Sequence, residues 1–317
     1  MAEHLSMDEE ETVYSVTIPV YNSQATLAEL MERLTAVMDA TGRPYEVILV
    51  DDASRDGSWR EIKRLKKRYP AIRGFRMMSN VGQYKALLCA LDHARGRYVI
   101  TLDDDLQNPP EEIPKLIARI ESDDEVECVI GAPRTKRHSL YRNMGTAFVS
   151  WIYRVIFNKP RDLTTSSFRI FTAGVRDALV QYRTRNPVLT PLLLRNARSI
   201  VNVEVEHDER RHGRSGYSLA RLVKITLDNV LNFSTLPLKV VSLVGLAAAS
   251  LSLLLTALYA FWYAQGKVSA PGFITLVLLI TFFSGLILLS MGLIGEYLIR
   301  IIEEVNHSPR YIIRERT

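Results

Sequence analysis

The chain has 317 residues, of which 47% are hydrophobic and 24% charged, and its formal net charge is +5. This length suits one domain of about 200–250 residues plus a smaller part, and the basic excess indicates nucleic acid, a membrane surface or a phosphorylated substrate. Its two cysteines, Cys89 and Cys128, lie in apolar runs, which argues against a disulfide or a cysteine-based metal site. Residues 1–12 are acidic and polar, so we expect a disordered tail there and no signal peptide.

Residues 13–217 alternate short β-branched runs with amphipathic helical patterns. The predicted strands are YSVTIPVY, YEVILVDD, GFRMM, YVITLDDD and ECVIGAP. Helices are predicted between them at about residues 24–40, 57–68, 82–95 and 111–121. Strand–helix alternation of this kind predicts an α/β domain with a Rossmann-like, mostly parallel sheet.

Polar residues gather where three of these strands end. They are Pro19, Tyr21 and Asn22 on the first strand, Asp51 and Asp52 on the second, and Asp103, Asp104 and Asp105 on the fourth. Because open α/β sheets bind ligands outside the carboxyl ends of their strands, we expect these residues to meet at one edge. Neither G-x-G-x-x-G nor a P-loop pattern occurs, so dinucleotide-binding and P-loop functions lack their fingerprint.

Asp103 and Asp105 form a D-x-D pattern. Side chains at positions i and i+2 of an extended segment share a face, so both carboxylates can approach one site while Asp104 points away. Like charges this close repel each other, and a cation between them explains the placement. We therefore predict that Asp103 and Asp105 hold Mg²⁺ or Mn²⁺, which takes its remaining ligands from phosphate and water and neutralises a departing diphosphate.

Two uncharged apolar stretches follow, at residues 240–263 and 273–294. Each exceeds the roughly 20 residues that cross a bilayer, so we predict a two-helix transmembrane hairpin over residues 237–298 and a tail over 299–317. A pair of buried core helices is the alternative. Basic residues flank the hairpin on the side of both termini, at Lys239, Arg300, Arg310, Arg314 and Arg316. The positive-inside rule therefore predicts an inner-membrane protein with a cytoplasmic α/β domain and cytoplasmic termini.

Two amphipathic stretches precede the hairpin, at residues 140–159 and 218–236. Each is typical of a helix that packs on a core or lies in the headgroup plane, and we assign residues 218–236 to an interfacial helix. The basic excess then indicates the bilayer and phosphate. Nucleic-acid binding is not expected, because no recognition motif is present.

Five motifs occur in a fixed order: VTIPVYN, VDDASRDGS, NVGQYKAL, TLDDDLQNPPEEIP and ERRHGRSGYS. With the apolar stretches and GEYLIRIIEEV after them, the chain resembles family-two glycosyltransferases that act on polyprenyl phosphate, over roughly residues 13–312. The resemblance implies a GT-A fold and an inverting transfer of one sugar from a nucleotide-diphosphate sugar to undecaprenyl or another polyprenyl phosphate. Uridine is the expected nucleotide by analogy with bacterial relatives, the sugar stays open, and a homo-tetramer is one assembly that relatives form.

The resemblance also assigns roles to single residues. Pro19, Tyr21 and Asn22 would line the nucleotide pocket, with Asp51 at the base and Asp52 near the ribose. Asp103 and Asp105 would hold the metal and the diphosphate, with Gln107 near the sugar. Arg210, Arg211, Ser215 and Tyr217 would contact the diphosphate or the acceptor phosphate. Lys85 is a further candidate for the diphosphate, and a solvated surface position is its alternative.

Three residues depart from the family pattern: Ser79 and Gly216 stand where relatives commonly carry Arg and Lys, and Ser167 stands where some relatives carry Asp. That Asp is proposed as a general base in some relatives. A phosphate monoester is already an anionic nucleophile at pH 7, so it needs positioning more than deprotonation. Arg169, in SSFRIF, is our candidate for this catalytic role, because arginine binds phosphate by bidentate contacts. A structural ion pair is the alternative for Arg169.

Two other functions compete with this interpretation. A processive polysaccharide synthase has a similar domain, but it uses a Q-x-x-R-W segment, and no Arg-Trp dipeptide occurs here. A non-catalytic nucleotide-sugar sensor or membrane scaffold is supported only by Ser167, and the intact Asp103 and Asp105 argue against it.

Overall fold

A computed structural model describes residues 12–134, 160, 162–182, 188–208, 236–266, 272–305 and 309–317. The predicted helix over residues 140–159 and nearly all of the predicted interfacial helix over 218–236 lie outside these ranges. The chain forms two compact units. One contains the sheet and includes the terminal segment Pro309–Thr317, and the other contains the two long helices near the carboxyl end.

The strands are, in chain order, β1 Tyr14–Val20, β2 Tyr45–Asp51, β3 Ile72–Met77, β4 Tyr98–Thr101, β5 Cys128–Pro133, β6 Arg169–Thr172, β7 Ile200–Val205 and β8 Ile313–Arg316. The helices are α1 Gln24–Ala40, α2 Ser58–Arg68, α3 Gln83–His93, α4 Ile113–Glu121, α5 Ala173–Gln181, α6 Leu189–Asn196, α7 Leu236–Ala264 and α8 Phe273–Val305. A short 3₁₀ turn at Pro110–Glu112 leads into α4.

The eight strands form one mixed sheet in the order β7-β5-β6-β4-β1-β2-β3-β8. Parallel pairing joins β1 to β2, β1 to β4, β2 to β3 and β5 to β7. Antiparallel pairing joins β6 to β4 and β5, and β8 to β3. The prediction of an α/β domain with a mostly parallel sheet is therefore confirmed, and β1, β2, β3 and β5 lie at the predicted strands. Strand β4 ends at Thr101, four residues before the end of the predicted strand YVITLDDD, so Asp103, Asp104 and Asp105 lie in the loop and turn that follow it.

The hydrophobic core explains why β1 reads as a continuous apolar run. All seven residues of β1 are buried, because the strand lies in the middle of the sheet and helices cover both faces. Val16, Ile18 and Val20 alternate onto one face, where they pack in a cluster with Leu30 and Leu34 of α1. This packing fixes the position at which β1 ends, and thus the position of the loop that follows it.

The carboxyl-terminal segment differs from the predicted tail over residues 299–317. Helix α8 continues to Val305, and Ile313–Arg316 forms the edge strand β8, paired with β3. The sequence of β8 is IRER, and its residues alternate between half-buried and exposed. Four residues with three charges do not give an apolar strand signal, and the strand forms because it completes the open edge of β3.

Sequence analysis also did not predict β6, β7, α5 and α6. Strand β6 has four residues and inserts antiparallel between β4 and β5. Such a short strand gives little periodicity, so its position depends on its neighbours in the sheet.

The second unit contains α7 and α8, with 29 and 33 residues, which contact each other. In the described part of the chain, one helical stretch, Phe282–Ile299 of α8, is long and apolar enough to cross a bilayer by length and composition. The apolar stretch recorded in α7, Leu238–Ala248, is shorter. The predicted two-span hairpin therefore remains a prediction.

Candidate active site

The carboxyl ends of β1, β2 and β4 bring the predicted polar residues to one edge of the sheet. The loop after β1 is tied to the aspartate cluster after β4, because the Tyr21 backbone N–H donates to Asp104 Oδ2 over 3.0 Å. The Asp52 backbone N–H donates to the Val20 carbonyl over 2.9 Å, which ties the end of β2 to the end of β1. The Leu102 N–H bonds the Thr17 carbonyl in the same way on the other side of β1.

Asp104 organises this edge. Its Oδ2 also accepts a hydrogen bond from the Ser23 hydroxyl, and its backbone carbonyl accepts one from Thr26 Oγ1 over 2.7 Å. Burial raises the pKa of Asp104 to about 6, and the neighbouring charges of Asp103 and Asp105 act in the same direction. Asp104 thus fixes the loop after β1. It lies in the turn after β4, so its separation from Asp103 and Asp105 comes from the turn and not from the predicted alternation along an extended strand.

Asp103 is held at both carboxylate oxygens. Its Oδ1 accepts a hydrogen bond over 2.8 Å from the Gln83 side-chain amide, at the first position of α3. Its Oδ2 accepts one from the Ser167 hydroxyl, just before β6. Sequence analysis did not assign a role to Gln83, although it lies in the quoted motif NVGQYKAL. Its pairing with Asp103 is a contact between distant segments that spacing does not reveal.

Asp105 begins a tight turn in which Leu106 has a φ angle of +61° and a buried side chain. Asp105 Oδ1 accepts a hydrogen bond over 3.2 Å from the Gln107 backbone N–H. The left-handed backbone of a leucine is costly, and the buried side chain compensates for it in the core. The turn thus keeps Asp105 near the sheet edge. The Gln107 carbonyl in turn accepts a hydrogen bond over 2.9 Å from the backbone N–H of Asp208.

The donor chemistry at Asp103 and Asp105 fits a hard divalent cation. In the described ranges no group of three or more His, Cys, Asp or Glu side chains is arranged to hold a metal ion. A pair of carboxylates is nevertheless what Mg²⁺ sites on phosphate substrates usually provide, because phosphate and water supply the remaining oxygens. Each carboxylate oxygen has two lone pairs, so the hydrogen bonds from Gln83, Ser167 and Gln107 do not exclude such a role.

Asp51 ends β2 and is fully buried. Its Oδ1 accepts a hydrogen bond over 3.2 Å from the Ser54 N–H, and its Oδ2 lies 3.2 Å from Arg76 Nε of β3. Despite that distance, Oδ2 has no hydrogen-bond partner of acceptable geometry in the described part of the chain. Burial raises the pKa of Asp51, and the hydrogen bonds from Ser54 and the charge of Arg76 oppose the shift.

The carboxylate of Asp52 binds the loop that leads into α3. Its two carboxylate oxygens accept hydrogen bonds from the backbone N–H groups of Val81, over 2.7 Å, and Gly82, over 2.8 Å. Gly82 has a φ angle of +94°, which residues with a Cβ rarely adopt. Burial raises the pKa of Asp52, and the two backbone hydrogen bonds oppose it. Asp52 therefore shapes the loop, and its predicted proximity to the ribose remains a prediction.

The residues predicted to line the nucleotide pocket lie beside Asp51. Pro19 is buried in β1 opposite Val50 of β2. Tyr21 is 45% exposed, so its ring is accessible to a ligand. Asn22 has a φ angle of +54°, and its side-chain Oδ1 accepts a hydrogen bond over 2.8 Å from the Arg55 N–H. An exposed aromatic ring thus lies near buried acidic groups, and their role in nucleotide binding remains a prediction.

Arg169 lies on β6 opposite Thr101 of β4, and it is 4% exposed. Its Nε donates to the Ser167 carbonyl over 3.3 Å, and its Nη1 donates to Thr190 Oγ1 over 3.5 Å. Burial lowers the pKa of Arg169, while Asp103 is one of the groups that raise it. Within the described ranges no carboxylate forms an ion pair with Arg169, so its alternative as a structural ion pair finds no partner there.

The remaining predicted residues are only partly covered by the structure. Lys85 lies in the first turn of α3 and is half-buried. Arg210, Arg211, Ser215 and Tyr217 lie outside the described residues. The last described residues before them are tied to the D-x-D turn, because His207 Nδ1 lies 3.2 Å from Asn108 Oδ1.

Comparison with known proteins identifies the family. Residues 15–180 match the family described as glycosyl transferase family 2. The chain is 36% identical over 305 residues to the undecaprenyl-phosphate 4-deoxy-4-formamido-L-arabinose transferase of Edwardsiella ictaluri (strain 93-146), over 95% of this chain and 93% of that protein. It is 35% identical over 311 residues to the transferase of the same name from Salmonella paratyphi A, over 95% of this chain and 92% of that protein.

A solved structure has the same fold. Glucosyl-3-phosphoglycerate synthase from Mycobacterium tuberculosis, in complex with Mn²⁺, uridine-diphosphate-glucose and phosphoglyceric acid, is similar with a TM-score of 0.53 and 16% identity, over 74% of this chain and 84% of that one. This similarity confirms the predicted GT-A fold. The family match covers more than half of the chain and includes β1 to β6 with the acidic sheet edge, so the chain belongs to glycosyl transferase family 2.

Proposed function

We propose that this protein transfers one sugar, with inversion, from a nucleotide-diphosphate sugar to undecaprenyl or another polyprenyl phosphate at the cytoplasmic membrane face. The observation that carries the proposal is the placement of Asp103 and Asp105 at the same sheet edge as Asp51. It supports a site in which the diphosphate binds at Asp103 and Asp105 and the nucleotide binds beside Asp51. The two relatives named as undecaprenyl-phosphate transferases align with almost the whole chain, which supports the lipid acceptor.

The donor end of the site is built from rigid elements. Tyr21 offers an exposed ring and Asp51 a buried acceptor, and both are fixed by hydrogen bonds to loops at the sheet edge. UDP is the nucleotide we propose, since the synthase from M. tuberculosis is described with uridine-diphosphate-glucose and Mn²⁺. By the names of its relatives, 4-deoxy-4-formamido-L-arabinose is the first donor sugar to test.

Asp103 and Asp105 would hold Mg²⁺ or Mn²⁺, which would supply screening of the negative charge that develops on the leaving diphosphate. The protein prepares these carboxylates before substrate arrives. Gln83 and Ser167 orient Asp103, and the backbone of Gln107 orients Asp105. Such preorganisation lowers the barrier because no rearrangement is needed during the reaction.

The acceptor end needs positive charge and no general base. A phosphate monoester is deprotonated enough at pH 7 to attack the anomeric carbon, so Ser167 in place of a carboxylate is compatible with transfer. Arg169 is proposed to position the acceptor phosphate, with Lys85, Arg210, Arg211, Ser215 and Tyr217 as further contacts to phosphate groups. Because Arg169 is buried, this role requires the phosphate to enter beside Ser167 and Asp103.

The membrane part brings the enzyme to its lipid substrate. Both α7 and α8 expose large apolar side chains, among them Leu243 at 67% and Leu288 at 68% exposure. A helix that is apolar on its outer surface is typical of contact with lipid. We propose the predicted hairpin over residues 237–298, with an interfacial helix at 218–236 and both termini in the cytoplasm. A tetramer of this chain is proposed only by analogy with relatives.

A transfer assay tests the function. The purified full chain, in detergent or nanodiscs, is incubated with undecaprenyl phosphate, Mn²⁺ and one nucleotide sugar at a time, and the lipid fraction is analysed by mass spectrometry. We expect one sugar per lipid phosphate and release of the free nucleoside diphosphate. Nucleotide-sugar binding without a glycolipid would support the sensor alternative, and a product with several sugars would support a processive synthase. The D105N variant is the matched control, because it keeps the side-chain volume and removes the charge.

A further inference from the structure

The segment near the carboxyl end forms β8, the edge strand next to β3, and β3 lies next to β2, which ends in Asp51. Strand β8 pairs with β3, and Thr317 closes the pairing, since its N–H donates to the Gly74 carbonyl over 2.9 Å. Glu315, within β8, lies opposite Arg76 of β3. The carboxyl terminus is therefore attached to the strand that lies next to β2, which ends in Asp51.

Glu315 and Asp51 share one guanidinium group. Arg76 Nη1 donates to Glu315 Oε1 over 3.3 Å, and Arg76 Nε lies 3.2 Å from Asp51 Oδ2. The arginine side chain is 26% exposed, whereas that of Asp51 is inaccessible. Arg76 thus contacts both carboxylates, and its position affects which acceptor of Asp51 is available.

The geometry of Asp51 suggests what Glu315 does. Asp51 Oδ2 is buried and accepts no hydrogen bond of acceptable geometry in the described residues, although a guanidinium nitrogen is 3.2 Å away. A buried polar atom without a hydrogen bond is unfavourable, so something must prevent Arg76 from turning toward it. Glu315 provides that second attraction through Oε1. Its other oxygen, Oε2, accepts a hydrogen bond over 2.9 Å from the Trp59 indole N–H, which attaches β8 to α2.

We infer that Glu315 is a positioning residue for nucleotide binding: through Arg76, the carboxyl-terminal strand keeps an acceptor of Asp51 available to the donor nucleotide. The inference rests on the proposed function, in which the nucleotide binds at the Asp51 edge. Without Glu315, Arg76 turns so that its existing ion pair with Asp51 Oδ2 also becomes a well-aligned hydrogen bond. The nucleotide then has to break that pair before it binds.

Nucleotide binding by the full chain tests this inference. Isothermal titration calorimetry with UDP and Mn²⁺ measures Kd for the wild type, E315Q, E315D and D51N. We expect E315Q to weaken binding about tenfold, the size typical for loss of a charge-assisted contact, and E315D to recover part of it. In the D51N background, E315Q should change Kd by less than about twofold, because the two residues act through one contact.

Two variants distinguish the effect of Glu315 on the position of Arg76 from the attachment of β8 to the rest of the domain. W59F removes the other hydrogen bond to Glu315 and leaves its contact with Arg76, so it tests strand attachment alone. K63Q removes the neighbour 3.9 Å from Glu315 Oε2 and serves as the charge control. We expect both to retain the wild-type Kd for UDP within about twofold, and thermal unfolding reports any loss of strand pairing for each variant.

The possible failures are distinguishable. If E315Q binds UDP as the wild type does, or if W59F weakens UDP binding as much as E315Q, the inference is wrong while the proposed function stands. If the wild type binds neither UDP nor GDP, the proposed function is wrong and the inference fails with it.

Discussion

The Ser167 hydroxyl donates a hydrogen bond to Asp103 Oδ2, so the residue that departs from the Asp expected by resemblance is in contact with a predicted metal ligand. A hydroxyl there stabilises the ionised form of Asp103, whereas a second carboxylate would repel it. The contact lets Ser167 orient Asp103. Its presence is therefore no argument for an inactive protein.

Substitution of Ser167 by Asp is expected to lower kcat/KM for the acceptor about tenfold or more. The new carboxylate faces Asp103 and an incoming phosphate, and both contacts are repulsive. S167A should lower the rate less, because it removes one hydrogen bond without adding charge. Initial transfer rates at several acceptor concentrations measure both effects. A faster S167D enzyme would show that the reaction needs a base at this position.

Loss of the Gln83 amide is expected to raise the metal concentration for half-maximal activity a few-fold. The Q83A variant removes the donor to Asp103 Oδ1, so the carboxylate samples more orientations. Gln24 is a matched control, because it is likewise the first residue of its helix and its side chain bonds a distant loop at Gly57. Titration of Mn²⁺ at saturating substrate should leave Q24A unchanged, and an equal shift in both variants would contradict the prediction.

Removal of divalent metal is expected to abolish transfer, and either Mn²⁺ or Mg²⁺ should restore it. The D105N variant should lose about a hundredfold in kcat, since an amide oxygen carries no charge to hold the cation beside a diphosphate. Activity measured after EDTA treatment, dialysis and metal addition tests this. Full transfer by the metal-free protein would mean that Asp103 and Asp105 serve another purpose.

Much of the fold could be predicted because the central strands carry strong local signals. Strands β1 and β2 are apolar and flanked by helices with clear periodicity, and their ends carry the acidic residues. Strands β6 and β8 have only four residues each, and β8 contains three charged ones. Their stability comes from pairing with a neighbour that is distant in sequence, which no local pattern encodes.

In the candidate site, too, some residues could be predicted from the local sequence and others could not. Asp103 and Asp105 were predicted to hold the metal from their spacing on an assumed extended strand, whereas β4 ends at Thr101 and Asp105 lies in the turn that follows. The partners that orient the acidic residues, Gln83, Arg76 and Glu315, come from other segments and were not assigned roles. Their contacts depend on strand order and register, which bring residues 239 positions apart in the chain, Arg76 and Glu315, into contact.

Loss of the contact between Glu111 and Arg33 is expected to lower the free energy of unfolding only at pH values above the ordinary pKa of the carboxyl group. Arg33 donates two hydrogen bonds of 2.8 Å to Glu111, and these lower the Glu111 pKa from 4.5. The stabilisation is thus present above pH 4.5 and is lost as the pH falls below it. Because the Glu111 side chain is 50% exposed, we expect E111Q to cost about 0.5 kcal/mol at pH 7.

Thermal unfolding of E111Q and the wild type at several pH values measures this difference. The difference in stability between the two proteins should decrease as the pH falls below 4.5. It should also decrease at high salt, where exposed ion pairs are screened. A difference that is independent of pH would show that Glu111 stabilises the protein by packing and not by its charge. Transfer activity at pH 7 should be the same in both proteins.

Replacement of Arg169 by Lys is expected to raise the KM for polyprenyl phosphate about tenfold and to leave the KM for the nucleotide sugar unchanged. Lysine keeps the charge of this buried residue, but it lacks the planar fork that binds phosphate at two oxygens. Arg176 of α5 is a suitable control, because its guanidinium donates to the Ala94 carbonyl over 2.7 Å and pairs with Asp177, away from the proposed acceptor contacts. R176K should alter thermal stability and not acceptor KM. Equal KM changes in both variants would mean that Arg169 supports β6 and does not bind the acceptor.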